Sequence, residues 1–83
     1  MLKDEIISTI KNNINHPESE IKIYTNDNKH FNAIIISDIF LDHPTLIQRQ
    51  QLINKIISKY ITTGKIHAFS FKTYTKNEWN DNN

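Results

Sequence analysis

The stretch GKIHAFSFKTYT, residues 64–75, decides which architecture the rest of the chain can adopt. It opens on the only glycine of the sequence, and apolar and polar positions then alternate as in a strand with one buried face. We predict a strand over residues 65–72, with His67 near its opening. An imidazole at the start of a buried strand raises the question of whether this edge of the protein holds a ligand.

A long amphipathic helix is predicted immediately before this strand, over residues 45–62. TLIQ, residues 45–48, matches a capping box at its start, and Gly64 follows its end. Its apolar residues form one stripe that we expect to be buried: Leu46, Ile53, Ile56, Ile57, Tyr60 and Ile61.

Further towards the N-terminus, two strands and a first helix complete the pattern. Residues 20–25 and 30–37 are strand-like and flank the turn-forming NDNK, which predicts an antiparallel hairpin. Leu2, Ile6, Ile10 and Ile14 recur at the spacing of a short amphipathic helix. DIFLDHP, residues 38–44, is predicted to be a loop, and TKNEW, residues 75–79, carries a second capping-box pattern before a final turn.

The order α-β-β-α-β predicts one α+β domain over residues 1–83, with a frayed tail over residues 79–83. A strand, a helix and a second strand in one small sheet make a crossover, so residues 30–37 and 65–72 should be parallel neighbours joined right-handedly. We therefore expect a three-stranded mixed sheet with both helices on one face.

Parallel strands begin at the same edge of a sheet, so this topology predicts that His30 and His67 share one rim. Strand alternation leaves open whether their rings point the same way. A histidine at a strand end is more often a polar residue bonded to a backbone carbonyl than a ligand. His16 and His43, each before a proline, are interpreted as solvated turn residues.

Composition excludes several classes of function. The chain has no cysteine, so it has no thiol chemistry of its own, and it lacks a Gly-rich phosphate loop. No general acid–base pair is identifiable, so we do not expect an enzyme. Ten Lys and Arg against nine Asp and Glu give no overall attraction to nucleic acid or membranes. The N-terminus is neither a signal peptide nor a membrane span, and a cytoplasmic protein is the expectation.

The segments HFNAIIISDIF, LIQRQQLINK and KIHAFSFKTYTKNEW resemble the BolA family over nearly the whole chain, and most closely its acid-stress-linked, cysteine-free bacterial branch. The resemblance implies a class II KH-like fold and an adaptor that pairs with a monothiol glutaredoxin and shares a [2Fe–2S] cluster with it. The family's histidine ligands fall on His67 and His30. The glutaredoxin cysteine and glutathione would supply the thiolates, and the isolated chain would carry no cofactor.

The resemblance also carries departures and an alternative. The family's Q-R-H motif is Gln48-Arg49-Gln50 here, and Arg49 is interpreted either as a solvated residue or as a contact to glutaredoxin or the glutathione carboxylate. Some members regulate transcription by binding DNA, for which Lys65, Lys72 and Lys76 are the candidate contacts. The G-x-x-G loop of KH domains is missing. The isolated chain is expected to be a monomer or a weak homodimer.

Overall fold

The computed structural model describes residues 1–81 and has the predicted order of elements. The elements are α1 (Leu2–Ile14), β1 (Glu20–Thr25), β2 (His30–Ile36), a 3₁₀ turn (Asp38–Leu41), α2 (Leu46–Thr62), β3 (Ala68–Tyr74) and α3 (Lys76–Asp81). The segment predicted to be a loop contains the 3₁₀ turn, which Ser37 caps, because the Ser37 hydroxyl accepts the N–H of Ile39. Residues 79–81, predicted to fray, lie in α3, and residues 82–83 lie outside the described part.

The three strands form one sheet in the order β1-β2-β3. Strands β1 and β2 are antiparallel, and β2 and β3 are parallel, as the crossover argument predicts. Strand β3 starts three residues later than predicted, at Ala68, which stands in register with His30. His67 thus lies just before the strand, and the alternation of strand side chains does not govern where its ring points.

Helices α1 and α2 cover one face of the sheet and build a core rich in isoleucine. The buried apolar residues include Ile6, Ile10, Ile14, Ile21, Ile23, Phe31, Ala33, Ile35, Ile53, Ile57 and Ile66. Ile56 of the predicted α2 stripe is only partly buried, and two other stripe residues are exposed, Leu46 at 66% and Ile61 at 37%. These two stand in the first and last turns of α2, outside the stretch that the core covers.

Within residues 1–81, the opposite face of the sheet is covered only at one end, by α3. The Tyr74 and Trp79 rings lie 5.2 Å apart, and the Lys22 ammonium lies 5.0 Å from the Trp79 ring centre. Ile36 is buried on this side, next to Trp79, whereas Ile34 is only half-buried. Burial of β2 on both faces is therefore limited to its C-terminal end.

None of the helices within residues 1–81 combines the length and the apolar character that crossing a bilayer requires.

Candidate functional site

His30 opens strand β2 directly after a turn that Asp27 organises. The Asp27 Oδ1 atom accepts the backbone N–H groups of Lys29 and His30, both at 2.9 Å. The second carboxylate oxygen, Oδ2, lies 2.9 Å from Nδ1 of the His30 ring. Thr25 closes the turn, because its hydroxyl donates to the His30 carbonyl at 2.8 Å and accepts the N–H of Asn28. One aspartate thus holds both the backbone and the ring of His30.

The Asp27 carboxyl is an anion in this turn. Hydrogen bonds from the His30 backbone, the His30 ring and the Lys29 backbone hold the pKa of the Asp27 carboxyl well below its usual range. An ionised carboxylate can only accept hydrogen bonds, so the His30 Nδ1 atom that faces it is the donor. In the neutral ring, the Nε2 lone pair is then available to bind a metal ion.

His67 is positioned by the segment that links α2 to β3. Its neighbour Ile66 is 1% exposed, and the Ile66 N–H donates to the Tyr60 carbonyl at 3.1 Å, which anchors the segment to the core. The N–H groups of His67 and Ala68 both donate to the Lys29 carbonyl, at 2.7 and 3.2 Å. The hairpin turn and the start of β3 are therefore joined at the residues that flank the two imidazoles.

The two imidazoles meet at this rim of the sheet. The His30 and His67 ring centres lie 5.7 Å apart, with the ring planes nearly perpendicular at 88°. Both residues are exposed, and 63% of the His30 side chain is accessible. The predicted convergence of the two histidines is confirmed. Strand alternation left open whether their rings point the same way, and they meet here because His67 lies just before the strand and outside that alternation.

This arrangement suits partial coordination of a metal centre. Imidazole nitrogens bind metals at about 2.0–2.1 Å, so two rings on one ion have centres roughly 5 Å apart, close to the separation observed here. Within residues 1–81, no group of three or more His, Asp and Glu side chains is arranged to hold a metal ion. The rim therefore offers two nitrogen donors in the part of the chain that the structure describes.

The alternative in which both histidines are satisfied by backbone carbonyls does not describe this rim. The His30 ring contacts a carboxylate, and the hydrogen bonds found in residues 1–81 include none to the His67 ring. His43 instead behaves that way, since its Nδ1 lies 3.2 Å from the Ile39 carbonyl. His43 is half-buried and bonded to the 3₁₀ turn, so the interpretation as a solvated turn residue is wrong for it. His16 is half-buried as well.

Arg49 is buried and makes contacts within the chain, so its interpretation as a solvated residue is wrong. Its Nη1 and Nη2 atoms donate to the two carboxylate oxygens of Glu78, at 2.8 and 3.2 Å, and its Nε donates to the His43 carbonyl at 2.9 Å. The guanidinium also lies 5.3 Å from the Phe40 ring centre. This pairing links the start of α2 to α3, and the predicted contact to glutaredoxin or glutathione stays a prediction.

The lysines of the nucleic-acid alternative do not form one patch. Lys65 precedes β3 and Lys76 follows it, so a seven-residue strand, roughly 23 Å long, separates them. Lys72 is exposed on the face of the sheet opposite the helices, and Lys76 pairs with Glu18. The hydrogen bond and charge of Lys76 hold the pKa of the Glu18 carboxyl below its usual value. These positions do not favour nucleic-acid binding.

Sequence reasoning missed Asp27 and the partner of Arg49. An aspartate three residues before a strand histidine, in a turn rich in Asn, is a readable signal for a side chain that bonds the backbone. Glu78 was visible as the acidic member of a capping box, and its carboxylate does accept the Thr75 N–H at 2.8 Å. Nothing in the sequence shows that the same carboxylate reaches Arg49.

Comparison with known proteins places these features in a family context. A family model described as BolA-like protein matches residues 2–78. The acid stress protein IbaG of Escherichia coli strain K12 is 32% identical over 79 residues, which cover 95% of this chain and 89% of that protein. A protein of Buchnera aphidicola subsp. Schizaphis graminum is 35% identical over 82 residues, covering 99% of this chain and 98% of that one. The crystal structure of a Bol-like protein from Babesia bovis superposes with a TM-score of 0.74 at 26% identity, covering 96% of this chain and 91% of that one.

Proposed function

Because this chain belongs to the BolA-like family, we propose that it is a non-enzymatic adaptor that pairs with a monothiol glutaredoxin and holds a [2Fe–2S] cluster jointly with it. His67 and His30 contribute the ligands of this chain. The observation that carries the proposal is the meeting of these two exposed imidazoles, 5.7 Å apart, on one rim of the sheet. The role is cluster trafficking or an iron-linked stress response in the cytoplasm.

The donor set of the chain fits a shared cluster better than a site of its own. Two imidazoles meet at this rim, no group of three or more His, Asp and Glu side chains in the described residues is arranged to hold a metal ion, and the chain has no cysteine. A [2Fe–2S] cluster needs four ligands, so a partner must supply two, and thiolates from a glutaredoxin cysteine and glutathione complete the set. When bound, a cluster with two nitrogen ligands has a higher reduction potential than one held by four thiolates.

The residues around the rim hold the His30 ring and the His67 backbone in place before a partner arrives. The Asp27 carboxylate fixes the His30 ring, and the shared Lys29 carbonyl fixes the backbone of His67 relative to the turn. Exposure of both histidines lets a flat partner surface approach without unfolding any element. In this proposal the chain presents two nitrogen lone pairs on one rim, and only the His30 ring is held in direction by a side-chain hydrogen bond.

The proposal is tested by reconstituting the chain with a monothiol glutaredoxin, glutathione, iron and sulfide, and by recording visible CD spectra. The wild-type mixture should give a spectrum distinct from that of glutaredoxin alone, lost most completely in His67→Ala and weakened in His30→Ala. His16→Ala is the matched control, because it removes a histidine that lies between α1 and β1, and it should leave the spectrum unchanged.

A wild-type mixture with no distinct spectrum would overturn the proposal, as would rim variants that match the wild type. DNA binding measured across a salt series examines the alternative, because binding dominated by phosphate contacts weakens steeply as the salt concentration rises.

A further inference from the structure

We infer that Asp27 is a positioning residue that sets the tautomer and direction of the His30 ring, so that Nε2 rather than Nδ1 faces an incoming metal centre. The inference rests on the proposed function, because it concerns how one of the two proposed ligands is prepared. Asp27 itself does not contact the cluster in this account. It acts through His30.

The contacts of Asp27 separate two tasks between its two oxygens. Oδ1 accepts two backbone N–H groups and so shapes the turn, while Oδ2 faces the Nδ1 atom of the His30 ring. Without such a partner, either ring nitrogen of a neutral imidazole can carry the proton. With Nδ1 donating to Oδ2, the proton is kept on Nδ1 and the lone pair on Nε2.

A carboxylate behind a histidine is the usual device for orienting a metal ligand. Histidines that bind metals commonly donate their second ring N–H to a carboxylate or carbonyl, which fixes the ring and raises its basicity. Here both side chains are exposed, 63% for His30 and 52% for Asp27, so packing does not hold the ring and the hydrogen bond must do so. His67 has no comparable carboxylate bond within residues 1–81, so His30 is the member of the pair whose ring is oriented in advance.

The decisive variant is Asp27→Asn. The amide oxygen of asparagine can still accept the two backbone N–H groups, so the turn persists. Its NH₂ group would then face Nδ1 and can only donate, which favours protonation at Nε2 and removes the lone pair from the rim. Asp38→Asn is the matched control, because Asp38 also accepts a backbone N–H, from Lys76 at 3.1 Å, but belongs to the 3₁₀ turn.

The first readout is the tautomer of His30 in the chain alone, from long-range ¹H–¹⁵N NMR of the imidazole at a mildly alkaline pH. The wild type and Asp38→Asn should show His30 protonated at Nδ1, and Asp27→Asn should show it protonated at Nε2. His43, whose Nδ1 faces a carbonyl, serves as an internal reference for the Nδ1-protonated form. A wild-type His30 protonated mainly at Nε2, or no change in Asp27→Asn, would refute the inference.

The second readout is the affinity of the chain for the glutaredoxin-bound cluster, followed by visible CD. Loss of an outer hydrogen-bond partner typically weakens metal binding about 10–100-fold, and we expect a loss of this size in Asp27→Asn but not in Asp38→Asn. A wild type that forms the mixed cluster beside an equally competent Asp27→Asn overturns the inference and leaves the proposed function standing. A wild type that forms no mixed cluster overturns the proposed function, whereas the tautomer of His30 is still decided by NMR.

Discussion

Replacing Arg49 should destabilise the fold more than replacing a solvated helix residue would. In Arg49→Met the apolar stem of the side chain is kept, but three hydrogen bonds are lost, two to Glu78 and one to the His43 carbonyl. The contact of the guanidinium with the Phe40 ring is lost as well. The Arg49 side chain is only 10% exposed, so these contacts are shielded from water in the wild type.

The size of the effect follows from the exposure of the partners. Hydrogen bonds to charged groups contribute about 1.5–3 kcal/mol each to stability. The Glu78 side chain is 45% exposed, so water solvates its carboxylate once Arg49 is gone, and the sum is reduced. We expect Arg49→Met to cost about 2–3 kcal/mol, a large part of the roughly 4–12 kcal/mol that 83 residues typically provide.

The assay is urea unfolding followed by far-UV CD, with Arg49→Met, Glu78→Gln and the double variant forming a cycle. Glu78→Gln keeps an amide oxygen for the Thr75 N–H and should cost about 1–2 kcal/mol. The double variant should cost less than the sum of the singles by about 1–2 kcal/mol, the coupling energy of the pair.

The exposed Lys76–Glu18 pair is the control, because its side chains are 38% and 79% exposed and such pairs contribute roughly 0–1 kcal/mol. Single variants of the Arg49 pair that unfold like the wild type, or costs that simply add in the double variant, would refute this reasoning.

Three further predictions concern stability and use the same unfolding assay. Hydrogen bonds from Arg49 and then from the Thr75 backbone lower the pKa of Glu78 below its unfolded value of 4.5. The stabilisation by this carboxylate is therefore present above pH 4.5 and is lost as the pH falls through the lower folded pKa. The difference in free energy of unfolding between wild type and Glu78→Gln should close over that pH range and not above it. Gly64 has φ +77°, and among residues 1–81 no atom beyond its chain neighbours lies within 4 Å of the position that a Cβ would take. Gly64→Ala should therefore cost about 1 kcal/mol from backbone strain alone, and a neutral result would contradict this. Thr45→Ala removes the cap that accepts the Gln48 N–H and should also cost about 1 kcal/mol, whereas an unchanged midpoint would count against the capping box.

The backbone plan was predictable from local chemistry. Strand β1 has the predicted bounds, and both capping boxes form, at Thr45 with Gln48 and at Thr75 with Glu78. The parallel pairing of β2 with β3 followed from the element order, because few topologies satisfy a right-handed crossover in so short a chain. The shared rim of His30 and His67 followed from the same argument.

The features that sequence reasoning missed depend on contacts between distant residues or on small shifts of element bounds. A start of β3 at Ala68 rather than at residue 65 removes His67 from the strand and lets its ring approach His30. The pairing of Arg49 with Glu78 joins residues 29 positions apart, and no periodicity in either helix indicates it. The exposure of Leu46 likewise reflects where the core ends and not the helical pattern.

Whether His67 and His30 bind iron is decided by pulsed EPR of the reduced mixed cluster, with ¹⁵N-histidine in this chain and natural-abundance glutaredoxin. We expect ¹⁵N couplings typical of imidazole nitrogens bound to iron, from two rings in the wild type and from one in His30→Ala. A cluster that forms in the presence of the labelled chain but shows no ¹⁵N coupling would contradict this expectation, because neither His67 nor His30 would then be a ligand.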